Sequence, residues 1–361
     1  MRFAIRATVW LLVSAFALSL SSCAELALPA EQLYPLQAAQ VKNVSVDVAD
    51  EIVIDIAPTP VPQPAEEPTV TPAPTAVATA TAVVTPVPAA TSTPAPIAAV
   101  AKLTPSCTET KGSLKDGFYR SATLERRQHY FIYLPPCYYT ARSARYPVVY
   151  LLHGIPMDER HWLDEGIVEA SDKLIGSGEL PPFLIVLPKG DNAIYTDTSG
   201  GDRSFEGVVV NDLIPFIDAT YRTLAEADHR SIGGISRGGV WALEIAFTHP
   251  QLFNAVGGHS PALSVNRATA EYDPLVLAKS APIDQLRIFL DAGDTDWTRY
   301  ETLDLSKVLN ERYIPHTFTI GRGIHDYPYW ASQVVAYLKF YGAPWKAEKV
   351  VEQIMSETAT Q

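Results

Sequence analysis

Two continuous apolar runs constrain the fold of this chain more than any other feature. They are PVVYLLHG at 147–154 and PFLIVLP at 182–188. Strands that are apolar at every position are covered on both faces, as at the centre of a largely parallel sheet. From residue 106 onward, strand patterns alternate with helix patterns. The sequence therefore predicts an α/β domain over residues 106–345, with a mostly parallel sheet and helices on both faces.

Further elements of this domain follow from periodicity and turn residues. GFYRSATL and QHYFIYLP are expected to pair antiparallel around ERR. Residues 206–221 have helical periodicity, and their proline indicates a kink or a late start. The other predicted strands are HRSIGG, FNAVGGHS, QLRIFLDAG and HTFTI, and the other predicted helices are 238–248, 300–310 and 327–341.

The first 23 residues have the pattern of an export signal. Arg2 and Arg6 precede an apolar run at 7–20 that is too short for a spanning helix, and LSSC follows. This ending resembles the lipobox of bacterial lipoproteins, in which the cysteine, here Cys23, becomes the lipidated first residue. The alternative is an ordinary secretory signal with a chance cysteine. A lipid on Cys23 predicts a cell-surface or periplasmic protein anchored to a bacterial membrane.

Residues 24–105 are expected to form a disordered Pro/Thr/Ala-rich linker. Fourteen of the chain's 29 prolines lie here, and such a segment buries too little apolar surface to fold and favours extended polyproline II. An alternating run at 44–56 is too isolated to be a domain. The segment is interpreted as a spacer that lifts the domain off a membrane, and residues 346–361 as a C-terminal tail.

Charge and motif content exclude several function classes. The formal net charge of −12 would repel a phosphate backbone, so no nucleic-acid partner is expected. The sequence contains no C-x-x-C motif, no His/Cys cluster with the spacing of a zinc site, and no phosphate-binding P-loop motif. No metal or cofactor is therefore predicted.

Residues 234–238, GISRG, match the pattern G-x-S-x-G between an apolar strand and an apolar helix. In this setting a serine sits on a sharp turn at the carboxyl end of a strand, and flanking glycines prevent collisions. Ser236 is then a candidate nucleophile for acyl transfer. The alternative is a serine that only fills a tight turn.

A serine nucleophile needs a base and an acid that orients the base. Asp291, Asp294 and Asp296 lie near the end of the predicted strand QLRIFLDAG, and any of them has the required place between serine and histidine. His316 begins a predicted strand and is expected to be structural. His325, in the glycine-rich loop GRGIHD, is the candidate base.

Two main-chain N–H groups are expected to stabilise the oxyanion of the reaction. One belongs to Arg237, the residue after the nucleophile. The other belongs to Ile155, in the loop after PVVYLLHG. His153 at the end of that strand is expected to have a structural role.

The stretches IYLPPCYY, RYPVVYLLHGI, DLIPFIDATYRT, HRSIGGISRGG, HPQLFNAVGGHS and GIHDYPYW together resemble the esterase branch of the α/β-hydrolase superfamily. This branch includes esterase D, feruloyl esterases, enterobactin esterases and the antigen 85 mycolyltransferases, and the resemblance spans about residues 112–342. It implies an α/β-hydrolase fold and a triad of Ser236, Asp296 and His325, with Asp294 as the second choice for the acid.

One departure from the family pattern is Cys137, which stands where LPPGY is common. With Cys23 lipidated, Cys107 and Cys137 remain as an even pair in an oxidising compartment, which favours a disulfide over two unrelated thiols. The variable loop at 191–206 is expected to border the substrate pocket. Trp162, Tyr195 and Trp297 are candidate apolar walls, although such aromatic residues also occur as simple packing.

The predicted function is an extracytoplasmic serine esterase that cleaves a carboxylic ester through an acyl-enzyme, with feruloyl and acetyl esters of carbohydrates as the candidate substrates. Two alternatives remain at this point. An acyltransferase of the antigen 85 type would keep the triad and replace water with another acceptor. A non-catalytic module would use the same fold to bind envelope or polysaccharide partners.

Overall fold

The computed structural model describes residues 53–55, 107–190, 192–196, 200–266 and 268–345. All of these residues belong to one compact unit, Asp50–Gln361. The predicted export signal with Cys23, nearly all of the predicted linker and the predicted tail at 346–361 lie outside the described residues.

A single sheet of nine strands runs through the described residues, in the spatial order β1-β9-β8-β7-β6-β4-β5-β3-β2. The strands are β1 (Val53–Asp55), β2 (Ser113–Ser121), β3 (Arg126–Leu134), β4 (Val148–Leu152), β5 (Leu184–Pro188), β6 (Arg230–Ile235), β7 (Ala255–His259), β8 (Arg287–Gly293) and β9 (His316–Gly321).

The centre of the sheet is parallel and its edges are antiparallel. Strands β5, β4, β6, β7, β8 and β9 pair in parallel, which confirms the prediction from the continuous apolar runs. The predicted hairpin is also present, because β2 pairs antiparallel with β3 along its whole length and β3 pairs with β5. Val53–Asp55, from the alternating run in the predicted linker, pairs antiparallel with β9.

Helices cover both faces of the sheet, as predicted. They are α1 (His161–Asp164), α2 (Ile167–Gly176), α3 (Asn192–Tyr195), α4 (Phe205–Gly207), α5 (Ile214–Thr220), α6 (Arg237–Thr248), α7 (Pro274–Leu277), α8 (Arg299–Glu311) and α9 (Tyr327–Gly342). Alternate residues of β4 belong to two separate cores: Tyr150 packs in the core that contains Trp241 of α6, and Val149 packs in the core that contains Leu174 of α2 and Leu338 of α9.

The helix predicted over 206–221 is interrupted at its middle. Helix α4 leads into a π-helical stretch, Val208–Leu213, and α5 begins at Ile214 with Pro215 in its first turn. Proline lacks the N–H that would continue an α-helical hydrogen-bond ladder, so the regular helix starts at the proline. The proline that indicated a kink or a late start thus lies where the π-helical stretch gives way to regular α-helix.

A disulfide joins Cys107 to Cys137, with the two Cα atoms 5.8 Å apart and the two cysteines separated by 30 positions in the sequence. This confirms the predicted pairing. Cys137 has a φ of 62°, in the left-handed region where glycine is favoured, and the Glu109 carboxylate accepts its main-chain N–H at 2.8 Å. In the chain-entropy picture a loop of this length contributes about 3–4 kcal/mol to stability.

Within the described ranges, no helix has the length and apolar character required to cross a membrane. The same part of the chain has no group of three or more His, Cys, Asp or Glu side chains arranged to hold a metal ion.

The turn from β6 into α6 fixes the position of Ser236. This residue has φ 57° and ψ −117°, a conformation that L-residues rarely adopt. A methyl group on Gly234 would lie 2.2 Å from the main chain of Gly238, and one on Gly238 would lie 2.3 Å from the Leu152 carbonyl oxygen. Both contacts are with backbone that cannot move aside, so the close approach of α6 to β4 and β6 requires the two glycines.

We expect Gly238→Ala to lower the free energy of unfolding by about 3 kcal/mol, because the new methyl group overlaps backbone atoms of β4. Gly176→Ala is the matched control, since nothing lies within 4 Å of a methyl group at Gly176. Urea denaturation of the three proteins measures the difference. Equal stability of the Gly238 and Gly176 variants would contradict the packing described for this turn.

Candidate active site

The candidate site lies at the carboxyl edge of the parallel strands, where ligand sites of open α/β sheets form. Ser236 follows the last residue of β6, and Ser260 follows the last residue of β7. Asp296 comes three residues after β8 ends, and His325 comes four residues after β9 ends. Four separate segments of the chain thus deliver polar side chains to one edge of the sheet.

Ser236, His325 and Asp296 form a continuous chain of hydrogen bonds. The Ser236 Oγ lies 2.9 Å from the Nε2 of His325. The Nδ1 of His325 lies 3.0 Å from both carboxylate oxygens of Asp296. Because the carboxylate can only accept, Nδ1 carries the proton and Nε2 is left to accept the serine proton.

The Asp296 side chain is fully buried, yet it is well supplied with hydrogen-bond donors. Burial alone would raise its pKa. Hydrogen bonds from His325, from the main-chain N–H of Thr298 and from the Ser260 hydroxyl outweigh burial, and the pKa of Asp296 lies below its usual value. The Thr298 hydroxyl also donates to Oδ1 at 2.9 Å. Asp296 is therefore ionised at neutral pH and can stabilise a positive charge on His325.

Of the three candidate aspartates, the structure places only Asp296 in contact with His325. Asp294 instead accepts the main-chain N–H of Gly323 at 3.0 Å, and so holds the loop that leads to His325. Asp291 lies inside β8 and pairs with the Nδ1 of His259 at 2.7 Å. Position along the sequence could not separate these three side chains, because all three lie between Ser236 and His325 and only the fold determines which one contacts the imidazole.

Asp291 and His259 belong to a buried polar network beneath the site. The second oxygen of Asp291 accepts the hydroxyls of Tyr329 and Tyr337, both at 2.8 Å. The Nε2 of His259 lies 2.8 Å from the Tyr341 hydroxyl. Burial, with the Asp291 carboxylate close by, raises the pKa of all three tyrosines, so they remain neutral. The network ties α9, which follows His325, to strands β7 and β8.

Arg237 and the residue before Ile155, which belong to the two segments predicted to donate to the oxyanion, lie beside the serine. Arg237 is the first residue of α6, so its main-chain N–H belongs to the first turn of that helix. Gly154, next to Ile155, is so close to the serine that a methyl group on it would lie 3.3 Å from the Ser236 Cβ. The loop after β4 and the start of α6 thus both face the Ser236 side chain.

His153 and His316 have the structural roles that the sequence predicted. The Nε2 of His153 accepts the Gly190 N–H at 2.9 Å, and its Nδ1 is 2.9 Å from the Gly154 carbonyl oxygen. Burial lowers the pKa of His153. His316 is 2.7 Å from the Ser306 hydroxyl and 2.9 Å from the Ile314 carbonyl oxygen. Both rings hold backbone or helix in place, away from Ser236.

The structure corrects the prediction that Trp162 and Tyr195 form pocket walls, because each is only 1% exposed. The Trp162 indole donates to the Leu152 carbonyl oxygen at 3.0 Å. The Tyr195 hydroxyl donates to the His153 carbonyl oxygen at 2.6 Å. Both side chains pack in the cores on the two faces of the sheet, where they support the loop after β4.

Trp297 is the predicted wall that lies at the site. Its side chain is 47% exposed, and its ring centroid is 4.8 Å from that of His325. It follows Asp296 directly, so the acid and this aromatic surface come from the same short turn after β8.

Sequence reasoning assigned no role to Ser260 or Trp330. Ser260 accepts the Trp330 indole N–H at 3.0 Å and hydrogen-bonds to Asp296. Trp330 also packs edge-on against the His325 ring, with centroids 4.9 Å apart. Ser260 lies in the motif GGHS and Trp330 in the motif GIHDYPYW. Neither motif indicates which group the serine or tryptophan side chain contacts in the fold.

The arrangement is suited to nucleophilic acyl transfer. A hydroxyl lies on a strained turn within hydrogen-bond reach of an imidazole, and an ionised, buried carboxylate orients that imidazole. The serine also sits at the N-terminus of α6, where main-chain N–H groups favour a developing negative charge.

The chain is similar to known esterases. Residues 121–341 match the family described as "Putative esterase". The chain is 31% identical over 153 residues to an endo-1,4-beta-xylanase/feruloyl esterase of Xylanibacter ruminicola, which covers 40% of this chain and 21% of that protein. It is 32% identical over 140 residues to an esterase of Mycobacterium tuberculosis, which covers 38% of this chain and 29% of that protein. The chain thus spans less than a third of the length of these curated relatives.

A solved ferulic acid esterase has the same fold. It superposes with a TM-score of 0.60 at 23% sequence identity, covering 65% of this chain and 98% of that structure. The fold is therefore that of the α/β-hydrolases, as the sequence predicted. With more than half of its residues matched by the family, the chain belongs to the esterase family of α/β-hydrolases.

Proposed function

We propose that this protein is a serine esterase that hydrolyses a carboxylic ester through an acyl-enzyme on Ser236. One observation carries the proposal: the hydrogen-bonded chain from Ser236 through His325 to Asp296, with the serine held at φ 57° at the start of α6. Family membership and the esterase names of the relatives support the same reaction class.

The first half of the reaction forms the acyl-enzyme. Ser236 Oγ attacks the ester carbonyl while its proton passes to the Nε2 of His325. Asp296 accepts the Nδ1–H and stabilises the imidazolium. The main-chain N–H groups of Ile155 and Arg237 donate to the carbonyl oxygen as it becomes negative. His325 then protonates the leaving alcohol, and the carbon–oxygen bond to that alcohol breaks.

The second half of the reaction releases the acid. His325, now neutral again, removes a proton from water as the water attacks the acyl-enzyme. The tetrahedral intermediate uses the same two N–H groups, and its collapse returns the proton to Ser236. Every proton in the cycle passes through the Nε2 of His325, so the orientation set by Asp296 serves both halves.

We expect Asp296→Asn to reduce kcat by about 10³- to 10⁴-fold, because an amide no longer fixes the tautomer or balances the imidazolium. Asp294→Asn is the matched control and should stay within about threefold of wild type, since Asp294 contacts the Gly323 N–H and not His325. Hydrolysis of a short-chain p-nitrophenyl ester measures both, and Ser236→Ala gives the background rate.

Equal losses in the two aspartate variants would contradict the assignment of the acid. A rate unchanged in Ser236→Ala would overturn the proposed function itself. Product analysis with an added alcohol tests the acceptor, because formation of a new ester in place of the free acid would indicate an acyltransferase.

The proposed substrate is an ester of a carbohydrate, with a feruloyl or acetyl acyl group. The leaving alcohol must lie next to His325 to receive its proton, and the exposed ring of Trp297 lies beside His325. An exposed indole offers a flat apolar surface with a polar edge, on which the apolar face of a sugar ring can pack. The feruloyl esterase relative supports this choice of substrate.

We expect Trp297→Ala to raise KM for a feruloylated oligosaccharide about three- to tenfold and to leave KM for p-nitrophenyl acetate within about twofold. Tyr313→Ala is the control. Tyr313 is 57% exposed and precedes β9, so it lies at the opposite edge of the sheet from His325. A Trp297 variant with wild-type KM for both esters would contradict a carbohydrate over the indole.

We further propose that the domain works outside the cytoplasm, held at a bacterial membrane by a lipid on Cys23 and a Pro-rich spacer. The signal-like first 23 residues, ending in LSSC, support the anchor. The Cys107–Cys137 disulfide fits an oxidising compartment.

We expect the full chain, expressed in a bacterium, to sediment with membranes and to incorporate labelled palmitate. Cys23→Ser should abolish the label, because no thiol remains at the lipidation position. Cys107→Ser, which removes a thiol of the disulfide, is the control and should keep the label. Palmitate incorporation in the Cys23 variant equal to wild type would rule out the anchor.

A further inference from the structure

A buried histidine–glutamate pair, His161 and Glu165, lies beside the loop that carries Ile155, and the histidine contacts this loop. The two side chains are fully buried, and the Nε2 of His161 lies 3.4 Å from the Oε1 of Glu165. They are separated by one helical turn at α1. Neither side chain belongs to the hydrogen-bonded chain of Ser236, His325 and Asp296, and the reaction described above makes no use of them.

His161 binds the backbone directly next to the nucleophile. The main-chain N–H of Gly154 donates to the Nδ1 of His161 at 3.0 Å. A methyl group on Gly154 would lie 3.3 Å from the Ser236 Cβ and 3.4 Å from the His161 Cε1. Gly154 is therefore enclosed between His161 and Ser236, and the next peptide along the chain presents the N–H of Ile155.

The His161 ring is also packed against the helix that follows His325. Its centroid is 5.1 Å from that of Tyr327 and 5.5 Å from that of Trp330, with both rings meeting it edge to face. Trp330 in turn contacts His325. The position of His161 is thus linked to both sides of the site, the oxyanion loop and the general base.

The geometry fixes His161 as neutral. Its Nδ1 accepts the Gly154 N–H, so the proton lies on Nε2, which faces Glu165. Burial also favours the neutral ring, because it lowers the pKa of His161 to about 4. A second proton on the ring would break the contact with Gly154.

The groups that face Glu165 favour its protonated form. Burial, followed by the neighbouring carboxylates of Asp164 and Asp326, raises the pKa of Glu165 to about 8. Asp158 and Asp164 raise the pKa of His161 and His325 lowers it, but burial outweighs all three.

Tyr327 of α9 also faces the pair, and burial together with these carboxylates raises its pKa, so it stays neutral. At neutral pH the pair therefore carries no charge.

We propose that His161 and Glu165 form a positioning pair that holds the Gly154–Ile155 peptide for the oxyanion, and that ionisation of Glu165 switches hydrolysis off at alkaline pH. The inference rests on the proposed esterase function. A carboxylate at Glu165 would draw the Nε2–H of His161 toward itself and away from the geometry that suits Gly154. It would also place a negative charge, in a poorly screened interior, close to where the oxyanion forms.

The test is the dependence of kcat on pH for wild type, Glu165→Gln and the control Glu169→Gln, from about pH 6 to about pH 10. Glu169 lies one turn further along the chain and is exposed. We expect wild type and the Glu169 variant to lose about tenfold in kcat per pH unit above about pH 8, with KM unchanged. Glu165→Gln should keep its kcat across this range, because an amide does not ionise.

The same three proteins are compared by thermal unfolding at about pH 5 and about pH 8. The pKa of Glu165 is raised in the folded state, so the unfolded chain loses its proton first and wild type becomes less stable as the pH rises between these values. The stability of Glu165→Gln relative to wild type should therefore increase from pH 5 to pH 8.

An active wild type whose kcat is constant up to about pH 10 overturns the inference and leaves the proposed esterase intact. An alkaline fall that persists in Glu165→Gln overturns it as well. If that variant does not fold, the wild-type profile still decides, since a constant kcat excludes a switch. Wild-type hydrolysis no faster than the Ser236→Ala background counts instead against the proposed function, and the unfolding comparison then tests the charge state of Glu165 alone.

Discussion

The strained backbone at Ser236 is the constraint on which the rest of the site depends. A φ of 57° and a ψ of −117° cost free energy, and the conformation persists because α6 packs on β4 and β6 through Gly234 and Gly238. The Ser236 N–H donates to the His259 carbonyl oxygen at 2.9 Å, and its own carbonyl oxygen accepts from Ala262. The turn places the Ser236 hydroxyl at the carboxyl edge of the sheet. His325 contacts the hydroxyl there, and Asp296 contacts His325.

Two acid–histidine pairs lie close together at this edge, and their surroundings suit them to different tasks. Asp291 and His259 are sealed in the interior, where every side-chain polar atom of the pair is hydrogen-bonded either within the pair or to a tyrosine. The Asp296–His325 pair opens toward Ser236, and the His325 side chain remains 16% exposed. The inner pair fixes the ends of β7 and β8, and the outer pair contacts the Ser236 hydroxyl at 2.9 Å.

The fold, Ser236 and His325 could be predicted from the residue pattern for identifiable reasons, whereas the choice of Asp296 came from the family resemblance. Continuous apolar runs such as 182–188 specify buried parallel strands. Glycines on both sides of Ser236, between a strand and a helix, are typical of a sharp turn that carries a nucleophile. His325 was separable from His316 because only one of them lies in a loop after a strand. Asp296 was harder to predict, since Asp291 and Asp294 satisfy the same order along the chain and only three-dimensional contacts distinguish them.

Other features could not be obtained from sequence, because they depend on which way an aromatic or ionisable side chain points. Trp162 and Tyr195 lie in or near loops, which suggested pocket walls, but both turn inward and donate to backbone carbonyls. In the sequence, nothing distinguishes Glu165 from a solvent-exposed glutamate on a short helix. Only the fold shows that it is enclosed against His161, beside the backbone that faces Ser236.

The central claim is that the Ser236 hydroxyl is activated by His325 and Asp296. Reaction with a fluorophosphonate, followed by intact-mass and peptide mass spectrometry, tests it most directly, because this reagent traps serines that an adjacent base activates. We expect a single adduct on the peptide that contains Ser236, formed much more slowly in His325→Ala. A protein that stays unmodified, or that is labelled on another residue at the same rate in both forms, would contradict it.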